Sequence, residues 1–442
     1  MLSQTSQIYK KYEFWILLGI ALFLRVAFLI SLGACTALAP DEGDYKVIFD
    51  RLFSKEMWSQ QLPTNGNPLI YFLWLLPAKL FTLFGLPSLL ALRINSLLFF
   101  TLSIILMYRL LQDKIPKYLL SKILILSTFI PSFFIYTSLG LREAFLVFLI
   151  SFVFYEIHLF NTNKKIINLV FYFLGISLLS QVKWYLGIIL FVSTFWLLFL
   201  EGKKMFVNHF KMISFCLVLI TLSFSNGMIQ TFKFIDITSV VDTSIKNKSK
   251  NLEENLRDNP ENRSQITLNL ESSTLVRLQE CKKLGTLGFL SSFEIVKNEI
   301  AATDLSNNME AFPATNFVNF ENGRSLRSYS EFPSALLNFL FLPLFNDHGG
   351  FISKLFIEGF IWGIPIVIVF IASSLFMIKR RKFHLIATCA CIFVVFYAIF
   401  CAFTEVNLGT AMRHRLLLLF PIFLALSGAS TFFFRSRGNR NQ

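Results

Sequence analysis

Long apolar runs separated by short polar segments organise the whole chain. Runs of spanning length lie at 14–33, 88–110, 118–137, 141–160, 166–182, 184–200, 211–226, 352–377, 384–403 and 414–434. A helix needs about 20 apolar residues to cross a hydrocarbon core of about 30 Å, and only helices or closed barrels satisfy their own backbone there. The runs are continuous rather than alternating, which argues against barrel strands. The pattern predicts an all-α polytopic membrane protein with roughly ten or eleven transmembrane helices. The first run, Phe14 to Leu32, is too long for a signal-peptide core and lacks a small-residue cleavage site, so it reads as a retained anchor.

One further run, Leu69 to Gly85, is ambiguous, and the basic residues decide how to treat it. Lys10 and Lys11, then Arg109 to Lys122, Lys164 and Lys165, Lys203 to Lys211, Lys379 to Lys382, and Arg435 to Arg440 all lie between apolar runs. If 69–85 lies along or dips into the outer surface, every one of these clusters falls inside, as the positive-inside rule requires. Both termini are then cytoplasmic. The polar stretch from 227 to 333 becomes one larger extracytoplasmic loop, and "FPSALLNFLFLPLF" (332–345) returns it to the membrane as an interfacial helix. Three segments follow: an N-terminal transmembrane module over 1–226 containing the first outer loop (34–87), the extracytoplasmic stretch over 227–345, and C-terminal transmembrane helices over 346–442.

Composition agrees with this picture. The chain is 55% hydrophobic and only 15% charged, so its net charge of +14 marks orientation and not a nucleic-acid partner. The six cysteines have no metal-ligand spacing. Cys35 and Cys281 are the two that fall on the outer side, and whether they pair is left open. The Phe, Ile, Lys and Asn bias favours a bacterium.

Candidate chemistry collects on the expected outer face. "PDEGD" brings Asp41, Glu42 and Asp44 directly after the first span, "LREAF" brings Arg142 and Glu143, "VKWYL" brings Lys183 and Tyr185, and "MRHRL" brings Arg413, His414 and Arg415. Each has a plain reading: solvated carboxylates, headgroup-snorkelling arginines at Arg415 and Arg93, and an interface aromatic at Tyr185. Together they say more. Cations at outer helix ends run against topology and call for an anionic partner. Arg and Lys clamp phosphate, and a carboxylate across the cleft is suited to take a proton from a hydroxyl.

The stretch "PDEGDYKVIFDRLF", followed by "NGNPLIYFLWLLPAKLFTLFG" and "ALRINSLLFFTLSIILMYRLL", resembles the GT-C membrane glycosyltransferases. Within them it is similar to the lipid-phosphate-dependent transferases that include protein O-mannosyltransferases and the aminoarabinose transferase of lipid A. Pro40, Asp41, Glu42, Pro68 and Arg93 carry the likeness over roughly the first 110 residues. The resemblance implies a GT-C-like fold with juxtamembrane helices in the first outer loop. It also implies a sugar donor on polyprenyl phosphate and a hydroxyl acceptor on a cell-envelope glycan, lipid or protein. Asp41 would be the base, and Glu42 would share that role or position the acceptor. Arg142, Lys183 and Arg413 would hold the phosphate, and a single displacement would invert the anomeric carbon. Asp44, Arg93, Glu143, Tyr185, His414 and Arg415 complete the candidate substrate-binding set. No cofactor is certain: a Mg or Mn ion at Asp41, Glu42 and Asp44 is open. A polysaccharide polymerase or ligase, and a transporter or flippase of polyprenyl-linked glycans, are the alternatives.

Overall fold

A computed structural model describes residues 2–31, 40–53, 68–201, 385–404 and 413–438, with the isolated positions 336, 339, 367 and 371. The run expected at 211–226, nearly all of the run at 352–377, most of the 227–345 segment, and Cys35 and Cys281 lie outside the described residues. Everything described is helix, turn or short connection, with no strand among the described residues.

The helices are α1 (Leu2–Ser31), α2 (Pro40–Leu52), α3 (Pro68–Leu83), α4 (Ser88–Leu111), α5 (Lys117–Ser127), α6 (Pro131–Ser138), α7 (Glu143–Asn163), α8 (Ile166–Val182), α9 (Trp184–Glu201), α10 (Leu385–Thr404) and α11 (Leu419–Gly438). Four helical stretches are long and apolar enough to cross a membrane: Tyr12–Ile30, Ser88–Leu111, Glu143–Asn163 and Leu385–Ala402. The α5–α6 pair makes a fifth if counted as one bent span. α3, at 16 residues, is about 24 Å long and contains Pro77.

The run expected as one span over 118–137 is instead broken, with a 70° bend between α5 and α6. Pro131 explains it. Its ring excludes a helical hydrogen bond and crowds the preceding turn, and it drives Ile130 to φ −55°, ψ 125°. Arg25 of α1 holds the break together. Its guanidinium donates to the carbonyls of Thr128 (2.6 Å) and Phe134 (2.9 Å) and to the hydroxyls of Thr137 (2.8 Å) and Ser138 (2.7 Å). The same group lies over the Phe100 and Phe134 rings. Thr128 caps α5, so its carbonyl is one that a helix end would otherwise leave unbonded.

α4 is the central element, packed against α7 and α3, with α1, α2, α5, α6 and α11 also touching it. A succession of neighbours, α7 to α8 to α9 to α10 to α11, leads back to α4. α8 and α9 form a tight hairpin joined by Lys183 alone, in an extended conformation at φ −145°, ψ 96°. Near the joint, a Cβ on Gly187 would stand 2.6 Å from the Ser180 Cβ, so only glycine allows this approach. Three turns away, Tyr172 and Thr194 close the hairpin through a buried 2.7 Å hydrogen bond.

Candidate functional site

One end of the bundle gathers the starts of α2, α4 and α7, the α8–α9 joint and the helical turn at 413–416. The opposite end carries Arg109, Lys114, Lys117, Lys122, Lys164 and Lys165. The first end is where the sequence-predicted residues meet.

Its foundation is a buried ion pair. α2 begins at Pro40, whose missing N–H costs nothing at a helix start, and Asp41 and Glu42 occupy the first turn, where carboxylates oppose the helix dipole favourably. Glu42 accepts from Arg93 Nε on Oε1 (2.8 Å) and from Arg93 Nη2 on Oε2 (3.0 Å), and both side chains are 0% exposed. Glu42 Oε1 also accepts the Gly140 backbone N–H at 2.9 Å. A Cβ at Gly140 would lie 2.9 Å from the Leu92 Cβ, so glycine permits the close approach. Ser96 donates to the Leu141 carbonyl at 3.2 Å, and Asn95 to the Trp74 carbonyl at 2.8 Å. α2, α3, α4 and the segment 139–142 are thereby fastened to one another. Arg93 is enclosed within the protein and does not reach out toward headgroups, contrary to the snorkelling expectation. Glu42 is engaged as a strut.

Arg142, immediately before α7, sits above this foundation. The Tyr45 phenol, with Glu143, Tyr71 and Tyr185, outweighs desolvation and holds its guanidinium protonated, with its pKa raised. Its Nε is buried and has no hydrogen-bond partner among the described residues. Glu143 is 4% exposed, and its Oε2 is likewise unbonded among them. Tyr45 packs edge-on against Trp74 at 5.0 Å, and Tyr71 tilts on the same ring at 6.1 Å.

The second half comes from Lys183 and His414, 231 residues apart in sequence, whose Nζ and Nε2 are in hydrogen-bond contact. Both side chains are buried. The Tyr185 hydroxyl lies 3.5 Å from the same His414 nitrogen, and Cys401 Sγ lies 3.9 Å from Nδ1. Tyr185 stacks on Phe400 at 4.5 Å, which fixes its ring. Arg413 stands over the Tyr136 ring of α6 at 5.2 Å. Arg415 is half-buried on the same turn. Tyr185 links the two halves, contacting His414 and acting electrostatically on Arg142.

The chain matches no family model, no curated protein and no solved structure.

Of the residues expected from sequence, Arg142, Glu143, Lys183, Tyr185, Arg413 and His414 are gathered here, while Glu42 and Arg93 lie beneath them. Asp41 and Asp44 belong to α2, but their side chains lie outside the described residues. No group of three His, Cys, Asp or Glu side chains able to hold a metal occurs among the described residues, and both oxygens of Glu42 are already bonded. Tyr45, Tyr71, Tyr136 and Gly140 escaped the sequence reading. Tyr45 was the most accessible to it, since it lies three residues after Glu42 and so on the same face of a helix.

Chemically, the cluster combines cations from three separate elements with phenol hydroxyls. Among the described side chains, Glu42 and Arg93 cancel each other, and Arg142, Lys183 and Arg413 stand against Glu143. Such a set suits a phosphate ester, which guanidinium and ammonium groups bind through charge-assisted hydrogen bonds.

Proposed function

We propose that the chain is an integral membrane glycosyltransferase of GT-C type. It moves a sugar from a polyprenyl-phosphate donor to a hydroxyl acceptor on the extracytoplasmic side of a bacterial cytoplasmic membrane. The acceptor is a cell-envelope glycan, lipid or protein. The observation that carries this reading is the meeting of Arg142, Lys183, Arg413 and His414 at the end of the bundle where α2 begins.

In this reading the acceptor oxygen attacks the anomeric carbon as the bond to the phosphate oxygen breaks, and a single displacement inverts that carbon. Asp41 takes the acceptor proton. Arg142, Lys183 and Arg413 offset the charge that builds on the departing phosphate, where preformed cations contribute most. Glu42, held by Arg93, keeps the first turn of α2 in place beside them.

The test is deletion of the gene, profiling of envelope glycans, and complementation at matched membrane levels. Wild type should restore a missing sugar, and Asp41→Asn and Arg142→Gln should not. If Asp41→Asn complements while Arg413→Gln fails, the polymerase or ligase reading replaces this one. Movement of substrate across vesicles without a new glycosidic bond would replace it with a transporter.

A further inference from the structure

Arg25 is wholly enclosed, and the phosphate reading makes no use of it. A buried charge is weak evidence for stability, since an apolar side chain of similar volume often holds the same space as well or better. What a guanidinium adds is direction, because its donors form a planar fork that is satisfied only when the acceptors stand in one arrangement. Three of the four acceptors here belong to α6: the Phe134 carbonyl and the Thr137 and Ser138 hydroxyls. Both hydroxyls donate in turn to carbonyls four residues back, Thr137 to Phe133 and Ser138 to Phe134, so lone pairs and not protons face the arginine. The fourth acceptor, the Thr128 carbonyl, ends α5, so one side chain spans both sides of the 70° bend.

α6 needs such a fixture. At eight residues it is far shorter than a helix that holds by itself, it has no side-chain cap at its start, and Leu139 leaves it in an extended conformation. Its Phe133 ring meets Phe100 and Phe420, but apolar contact is non-directional and lets a short helix turn or slide. α6 leads straight into the site. Tyr136, whose ring lies under Arg413, is the residue before Thr137. Beyond Ser138 come Gly140, bonded to Glu42, Leu141, bonded to Ser96, and then Arg142. A slip of α6 by one residue would turn Tyr136 by about 100° and carry the following segment along by about 1.5 Å.

From this arrangement we infer that Arg25 is a positioning residue for the site at the end of the bundle. By fixing the rotation of α6, it sets where Tyr136 holds Arg413 and where the 139–142 segment presents Arg142 to a phosphate ester. It acts from within the bundle, through α6, and not on the ligand. The inference rests on the reading of that end as a phosphate site.

The experiment is calorimetric titration of the purified full chain in detergent with a polyprenyl methyl phosphodiester, with Tm measured on every variant. Arg25→Leu should raise Kd by about tenfold, the scale on which residues remote from a ligand act. Thr137→Val with Ser138→Ala should produce a similar loss and add little to Arg25→Leu, because both break the same contact. This pair decides the matter if Arg25→Leu does not fold. Arg25→Lys, which keeps three donors, should recover part of the affinity. In an Arg413→Gln background the loss caused by Arg25→Leu should shrink. Tyr172→Phe, which removes the Thr194 hydrogen bond three turns from Lys183, should lower Tm and leave Kd unchanged. The positioning role is overturned if the Arg25 and Thr137–Ser138 variants bind as wild type does. It is equally overturned if Tyr172→Phe loses as much affinity, or if the Arg25→Leu loss persists in full without Arg413. Failure of wild type to bind the phosphodiester overturns the phosphate reading as well.

Discussion

Removing one member of a buried ion pair costs more than removing both, because the survivor keeps its charge and loses its compensation. The Glu42–Arg93 pair is completely enclosed, so Arg93→Met should destabilise the protein by about 3–5 kcal/mol, read as a lowered Tm in detergent. The double variant Glu42→Gln with Arg93→Met should recover much of that loss, since a neutral amide can still accept from Gly140. An equal loss in both would mean that packing, and not charge compensation, holds α2. The sequence displayed Asp41, Glu42 and Asp44 as one acidic turn and could not distinguish them. What separates Glu42 is a partner 51 residues away, and no local pattern reveals a contact of that range. The convergence of Arg142, Lys183 and Arg413, in contrast, was legible, because each interrupts an apolar boundary where topology disfavours a cation.

At the scale of elements, the α8–α9 hairpin fixes where Lys183 can be. A one-residue joint leaves no slack, and Gly187 lies directly against Ser180. Gly187→Val would force the two helices apart beside the joint, at about 1–3 kcal/mol for overpacking. It should also separate Lys183 from His414 and weaken phosphodiester binding. A Gly187→Val variant with unchanged phosphodiester affinity would show that the contact does not depend on the hairpin. The ends of α4, α7, α8, α9 and α10 fall within three residues of the apolar runs, since long continuous hydrophobicity is the strongest signal a sequence carries. The α5–α6 break was equally open to reading from Pro131. Hydropathy averaged over a window conceals such a break because both halves remain apolar.

For the whole molecule, the all-helical class of the described residues came from hydropathy. The order in which helices neighbour one another did not, because nearly every helix here has apolar residues on all sides and so offers no preferred face. Polar residues within those helices supply what periodicity lacks, and Arg25 is the clearest instance. In a bilayer it gives the protein a timetable. Alone in lipid, an arginine within a span costs about 2.5–3.5 kcal/mol on insertion scales. Its hydrogen-bond partners lie 103 to 113 residues further along the chain. At about 5–20 residues per second, roughly 5 to 20 s separate the synthesis of α1 from that of α6. Ribosome-bound chains halted before residue 128 should therefore leave α1 extractable by alkaline wash, and chains halted well beyond residue 142 should not. Arg25→Leu should resist extraction at both lengths. α1 would then settle only once α6 has followed it, waiting at the insertion machinery for the broken helix that receives its charge.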